Sequence, residues 1–103
     1  MKSNVYSIDE LKILLYPAFN AYPVHGGYVF GSYARGEATE KSDIDLFIEP
    51  SENFKSYEVC GILSRAMKLS GKKVDCYSSF DFDINTPIYK KILRDRVLIY
   101  GSK

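Results

Sequence analysis

The chain has no tryptophan, one histidine and two cysteines in 103 residues. Cys60 and Cys76 lack CxxC spacing and a secretory context. They predict two reduced core thiols in a cytoplasmic protein rather than a disulfide framework. No run approaches the length of a membrane span, and the N-terminus shows no apolar signal core, so membrane anchorage and export both lose support. An excess of either charge is missing too. Fourteen Lys and Arg stand against 13 Asp and Glu, a net charge of +1, and the basic residues are scattered. A phosphate-tracking surface needs clustered cations, so direct nucleic-acid binding is not expected unless another chain supplies the positive surface. What remains is an ordinary globular composition, 46% apolar and 26% charged, at a length that suits one domain spanning 1–103. A chain of this size buries roughly two-thirds of its unfolded surface, enough for a modest core.

Ser7-Ile8-Asp9-Glu10 is a capping box, and Ile8, Leu11, Leu14, Leu15, Ala18 and Phe19 then recur at helical spacing. Pro17 interrupts them, so the helix either kinks there or restarts with Pro17 in a new first turn. Pro23 and Gly26-Gly27 read as the close of that segment. Tyr28-Val29-Phe30 predicts a short buried strand, 32–36 a short helix and 37–42 a polar loop. Asp43 to Ile48 alternates with period two, which places Ile44, Leu46 and Ile48 on one sheet face and both aspartates on the other. A helix over 57–69 follows, with Val59, Cys60, Ile62, Leu63, Ala66, Met67 and Leu69 as a wide apolar face and Gly71 as its cap. Lys73 to Tyr77 predicts a third strand with Asp75 opposite Val74 and Cys76. After a loop over 78–86, Pro87 opens a last helix to about Arg94, and 97–100 forms an edge strand or a docked chain end. The expected fold class is α/β (α+β): a small mixed sheet with flanking helices.

Gly31-Ser32, ten intervening residues, and Asp43-Ile44-Asp45 form the constellation with chemical content. Glycine lets backbone approach a phosphate closely, and N–H groups after such a turn, with the Ser32 hydroxyl, can donate to phosphate oxygens. Asp43 and Asp45, two apart on a strand, leave the same face. If the Asp75 strand lies alongside, a third carboxylate joins them. Three like charges at close quarters repel, and a hard divalent cation makes the arrangement tolerable. This layout suits nucleotide transfer from a triphosphate with one or two Mg²⁺ ions. Arg35 stands near enough to assist a phosphate, or to pair with Glu37 or Asp43 instead.

The stretch Gly31-Ser32-Tyr33-Ala34-Arg35-Gly36, the polar loop, Ser42-Asp43-Ile44-Asp45-Leu46 and Lys73-Val74-Asp75 resemble the minimal nucleotidyltransferases (MNT) of the DNA polymerase β-like superfamily. The end of the chain, Ile92 to Tyr100, resembles the family's terminal stretch. The resemblance implies a polymerase β-like nucleotidyltransferase fold, Asp43, Asp45 and Asp75 as catalytic metal ligands, and Gly31 and Ser32 as the triphosphate clasp. It also implies a HEPN-domain toxin as partner, since short MNT proteins are commonly antitoxins of such ribonucleases and some transfer AMP from ATP to a toxin tyrosine.

The expected activity is therefore Mg²⁺-dependent transfer of AMP from ATP to a hydroxyl of a partner protein. One alternative is a non-catalytic antitoxin that neutralises its partner by complex formation. Another is a small-molecule nucleotidyltransferase of the aminoglycoside-modifying type, which normally carries an extra helical domain. Several residues have plainer readings. Ser42 shapes its loop. His25 is a surface residue, Asp81 and Asp83 are solvated loop acids, and Lys90, Lys91, Arg94 and Arg96 form an exposed helix face.

Overall fold

Ser7 begins the first helix in the way its capping box requires. In the computed structural model, which describes residues 5–101, the Glu10 N–H donates to Ser7 Oγ at 3.0 Å and the Ser7 N–H donates to the Glu10 carboxylate at 2.8 Å. The helix, α1, spans Ile8–Asn20 and runs unbroken through Pro17. Proline removes one ladder hydrogen bond. Ala18 and Phe19, just beyond it, are fully buried, and their burial offsets that loss.

The remaining elements are β1 (Val24–Phe30), β2 (Ile44–Pro50), α2 (Glu58–Ser70), β3 (Val74–Ser78), α3 (Pro87–Asp95) and β4 (Val97–Gly101), with a 3₁₀ turn at Ser79–Asp81. The four strands make one mixed sheet in the order β3-β2-β1-β4. β1 is antiparallel to both β2 and β4, whereas β2 and β3 are parallel and joined through α2. Among the described residues no helix is long and apolar enough to cross a membrane.

β1 starts four residues earlier than the apolar run that predicts it. Gly26 and Gly27 are paired strand residues here, not breakers: Gly27 lies opposite Ile48 on one side and Tyr100 on the other. A side chain at 27 would meet the Phe19 ring, with Phe19 Cε1 only 2.6 Å from a Cβ at that position. The glycine lets α1 press its phenylalanine against the sheet.

The two sheet faces carry different cores. Ile44, Leu46, Ile48, Val29 and Ile99 pack with Leu11, Leu15 and Phe19 of α1 and Ile62 and Ala66 of α2. On the other face Tyr28 and Phe47 pack with Ile92 of α3. Phe47 is as fully buried as the alternate residues of its strand because α3 covers what period two leaves outward.

Three expectations need correcting. Residues 31–36 form consecutive turns and not a helix, ended by Gly36 at φ +73°. The buried stripe of α2 is narrower than its apolar content: Ile62, Ala66 and Ser70 are buried, while Cys60, Met67 and Leu69 face solvent. Cys60 is thus no core thiol. Arg96 does not belong to an exposed helix face. Its guanidinium lies 4.0 Å from the Tyr28 ring centroid and its Nη1 donates to Glu49 at 3.0 Å. The Tyr28 hydroxyl donates to the same carboxylate at 2.9 Å. This network ties the end of α3 to the sheet.

Gly27→Ala is expected to lower stability by about 1–3 kcal/mol through the forced shift of Phe19. Urea unfolding measures it, and an unchanged midpoint would show that the α1 contact is not tight.

Candidate active site

The parallel pairing of β2 with β3 sets Asp45 directly opposite Asp75, and the antiparallel pairing of β1 sets Phe30 beside Asp45. The three residues form one row across adjacent strands spaced about 4.8 Å apart. Ile44 and Val74 turn into the α1–α2 core, so the residues after them turn to the opposite face. α2 is the reason both acids reach the same end of the sheet, because it carries the chain from the end of β2 back to its start. Asp43 lies just before β2. The Ser42 hydroxyl accepts the Thr39 N–H at 2.8 Å and the Ser42 N–H donates to the Thr39 carbonyl at 3.0 Å, so Ser42 does shape the loop that delivers Asp43.

Gly31 follows β1 with φ +72°, a conformation that favours glycine. A Cβ there would run into the Asp45 carboxylate, so the turn can approach that acid only without a side chain. The turn is held by Arg35 N–H to Gly31 carbonyl at 3.1 Å and Glu37 N–H to Ser32 carbonyl at 2.9 Å. Tyr33, buried in the main core, anchors it. Gly31, Ser32, Asp45 and Asp75 therefore share one end of the sheet.

Electrostatic crowding is visible in Asp45. Burial, then the charges of Asp75 and Asp43, push its pKa up to about 6, against the opposing pull of Arg35. The Arg35 guanidinium is itself engaged, with Nε 3.1 Å from Glu37 Oε1 and Nη1 3.9 Å from Asp95 Oδ2. The ion pair of Arg35 with Glu37 is formed, and among the described residues no ion pair joins it to Asp43.

As they stand, no three His, Cys, Asp or Glu side chains among the described residues are close enough together to grip a metal ion. Their chemistry nonetheless suits one. Asp43, Asp45 and Asp75 are oxygen donors of the kind Mg²⁺ takes, and the raised pKa of Asp45 marks a place where added positive charge would be favourable.

A cleft of ≈ 160 Å³ opens at the Phe30 end of this row, with Phe30, Gly31 and Arg35 on one side and Ile88, Lys91 and Asp95 of α3 on the other. The α3 wall was not legible in the sequence as part of the site. Ile88 and Lys91 are three residues apart and hence on one flank of the helix, but which flank meets the glycine turn depends on tertiary packing. A wider concavity of ≈ 550 Å³ lies along β4 and α1, lined by residues such as Lys12 and Tyr100, and contains no carboxylate. It has no groups for metal or transfer chemistry. His25 is exposed, as expected, but on β1 rather than in a turn. Asp81 caps the 3₁₀ turn by accepting the Ser78 N–H at 2.8 Å, and Asp83 accepts the Asn85 N–H at 2.9 Å, both beyond the far end of β3 from Asp75.

A family model described as polymerase beta, nucleotidyltransferase, matches residues 15–103. The chain belongs to the polymerase β nucleotidyltransferase family. A protein of Methanocaldococcus jannaschii named a putative protein adenylyltransferase is 38% identical over 79 residues, covering 75% of this chain and 77% of its own length. A solved structure described as a putative minimal nucleotidyltransferase superposes with a TM-score of 0.69 at 26% identity, covering 89% of this chain and 95% of that one. A complex of a tri-AMPylated Shewanella oneidensis HEPN toxin with an MNT antitoxin matches with a TM-score of 0.59 at 14% identity, over 92% of this chain and 70% of that one. At that identity the last likeness shows the shared fold.

The nucleotidyltransferase carries a pH signature in Asp45. Its carboxyl titrates near 6 when folded and near 3.8 unfolded, so its contribution to stability is fully present below the lower value and is lost as pH rises through the upper one. Without divalent metal, Asp45→Asn is expected to be more resistant to urea than the unaltered protein at pH 7 and to lose that advantage by pH 4. A constant difference across the range would show that like-charge crowding is not its source.

Proposed function

We propose that this nucleotidyltransferase transfers AMP from ATP to a hydroxyl group of a partner protein with Mg²⁺ bound at Asp43, Asp45 and Asp75. The observation that carries the reading is the Asp45–Asp75 register beside the Gly31 turn. Bound there, Mg²⁺ would neutralise phosphate charge and make an acceptor oxygen more nucleophilic.

The chain's own residues do the rest. The Gly31 turn and the Ser32 hydroxyl orient the β- and γ-phosphates, and Arg35 adds positive charge close by. Asp43 and Asp45, with Asp75, would hold the Mg²⁺ whose charge offsets that of the triphosphate. The acceptor oxygen forms a bond to the α-phosphorus while the bond from that phosphorus to its bridging oxygen breaks, and pyrophosphate leaves. The acceptor proton passes to the carboxylate of Asp75.

The similarity to a protein named as an adenylyltransferase supports AMP as the transferred group. Asp43, Asp45 and Asp75 are each only partly buried, which supports an acceptor presented by another protein. We infer that this acceptor is a HEPN-domain toxin and the chain its antitoxin. The fold shared with the MNT antitoxin complex supports the pairing. We further infer a cytoplasmic location, where such a partner and ATP would both be present.

With α-phosphate-labelled ATP, Mg²⁺ and a lysate holding the partner, label is expected on one protein band. Metal-assisted charge stabilisation is worth several kcal/mol, so Asp43→Ala should cut labelling about a hundred- to a thousand-fold. Full labelling by that variant would sink the assignment of the acids. Absence of label beside tight ATP binding would favour neutralisation by complex formation alone.

A further inference from the structure

Arg35 is the cation that the sequence offers to the phosphates, yet Glu37 and Asp95 already offset its charge. Across the cleft stands a second cation. Lys91 lines the cleft with Ile88 on the flank of α3 that faces Phe30 and Gly31. It is exposed, and among the described residues no hydrogen bond or ion pair engages its ammonium. The other cations of α3 differ. Arg94 has Nε 3.6 Å from Asp95 Oδ1, and Lys90 does not line the cleft.

We propose that Lys91 is a phosphate-binding residue, its ammonium reaching across the cleft to the terminal phosphates of the nucleoside triphosphate held at Gly31. The inference rests on the nucleotidyltransferase reading of that site and adds a residue from a different element. A triphosphate beside three carboxylates brings strong negative charge to one sheet end. Lys91 is the cation at the cleft whose charge is not already neutralised by a neighbour. An ammonium on a flexible stem suits a phosphate of variable position, because it needs no bidentate fit. Ile88, one helical turn earlier, and Phe30 give the cleft an apolar lining along which that stem can lie.

Contact with the terminal phosphates predicts discrimination between nucleotides that differ only there. The test is equilibrium binding of ATP and of AMP, each with Mg²⁺, to the full chain and to Lys91→Ala, Lys91→Arg and Lys90→Ala. A charge-assisted contact is expected to make ATP binding by Lys91→Ala roughly ten- to a hundred-fold weaker. AMP binding should stay unchanged, Lys91→Arg should keep most ATP affinity, and Lys90→Ala should match the unaltered protein. Unchanged ATP affinity in Lys91→Ala, or parallel loss of ATP and AMP, would overturn the role of Lys91 alone. Binding of neither nucleotide by the unaltered protein would overturn the reading of the site, and this inference with it.

Discussion

The parallel alignment of β2 with β3 is the constraint on which the rest of the molecule turns. It places Asp45 against Asp75, and it is possible only because α2 returns the chain across the sheet. The same crossover supplies Ile62 and Ala66 to the main core. The element that stabilises the fold is therefore also the element that brings like charges together. A register slip of one residue between these strands would turn Asp75 into the apolar core and Val74 outward. The burial of Ile44, Leu46 and Val74 on one face thus guards the position of both acids on the other.

Crowded carboxylates are costly, and the cost is local. Asp45 sits next to Phe30 in its row and has the Gly31 turn against its side chain, so water screens it poorly. A surface acid would have no reason to be placed there. Glycine at 31 is part of the same arrangement: its missing side chain is what lets the backbone close over the carboxylate. The turn and the acid are mutually fitted.

Much of this could be read directly from the residues. The Ser7 capping box, the Gly71 cap, Pro87 at a helix start and the period-two strand from Ile44 each follow from local rules and appear in the structure, although Asp43, expected to open that strand, lies just before it. What local rules missed has tertiary causes. Gly26 and Gly27 read as breakers although both are paired strand residues, and Gly27 has no side chain because Phe19, distant in sequence, packs over it. The Ser32–Gly36 turn lacks the length to continue as a helix once Gly36 takes a positive φ. Cys60 and Met67 looked like core because α2 is apolar beyond the stripe that α1 and the sheet can cover. Arg96 looked like a solvated cation because neither Tyr28 nor Glu49 is near it in sequence. The acids and the glycine turn were legible by spacing; the α3 wall of the cleft was not, since helical periodicity gives flanks without saying what they face.

That wall gives α3 a double position in the molecule. Its inner side packs Ile92 on Tyr28 and Phe47, and Tyr89 stacks on Phe82 with ring centroids 5.6 Å apart. Beyond its C-terminus, Arg96 clamps onto Tyr28 and Glu49. These contacts fix both the height and the rotation of a nine-residue helix that would be marginal alone. Rotation matters more than height for the site, because one residue of helical rotation is about 100° and would replace Lys91 and Ile88 at the cleft with their neighbours. The Arg35–Asp95 pair joins the same helix to the glycine turn. The inner face of α3 and its Lys91 flank are therefore one device: the packing on Tyr28 and Phe47 sets which side chains look across at Gly31.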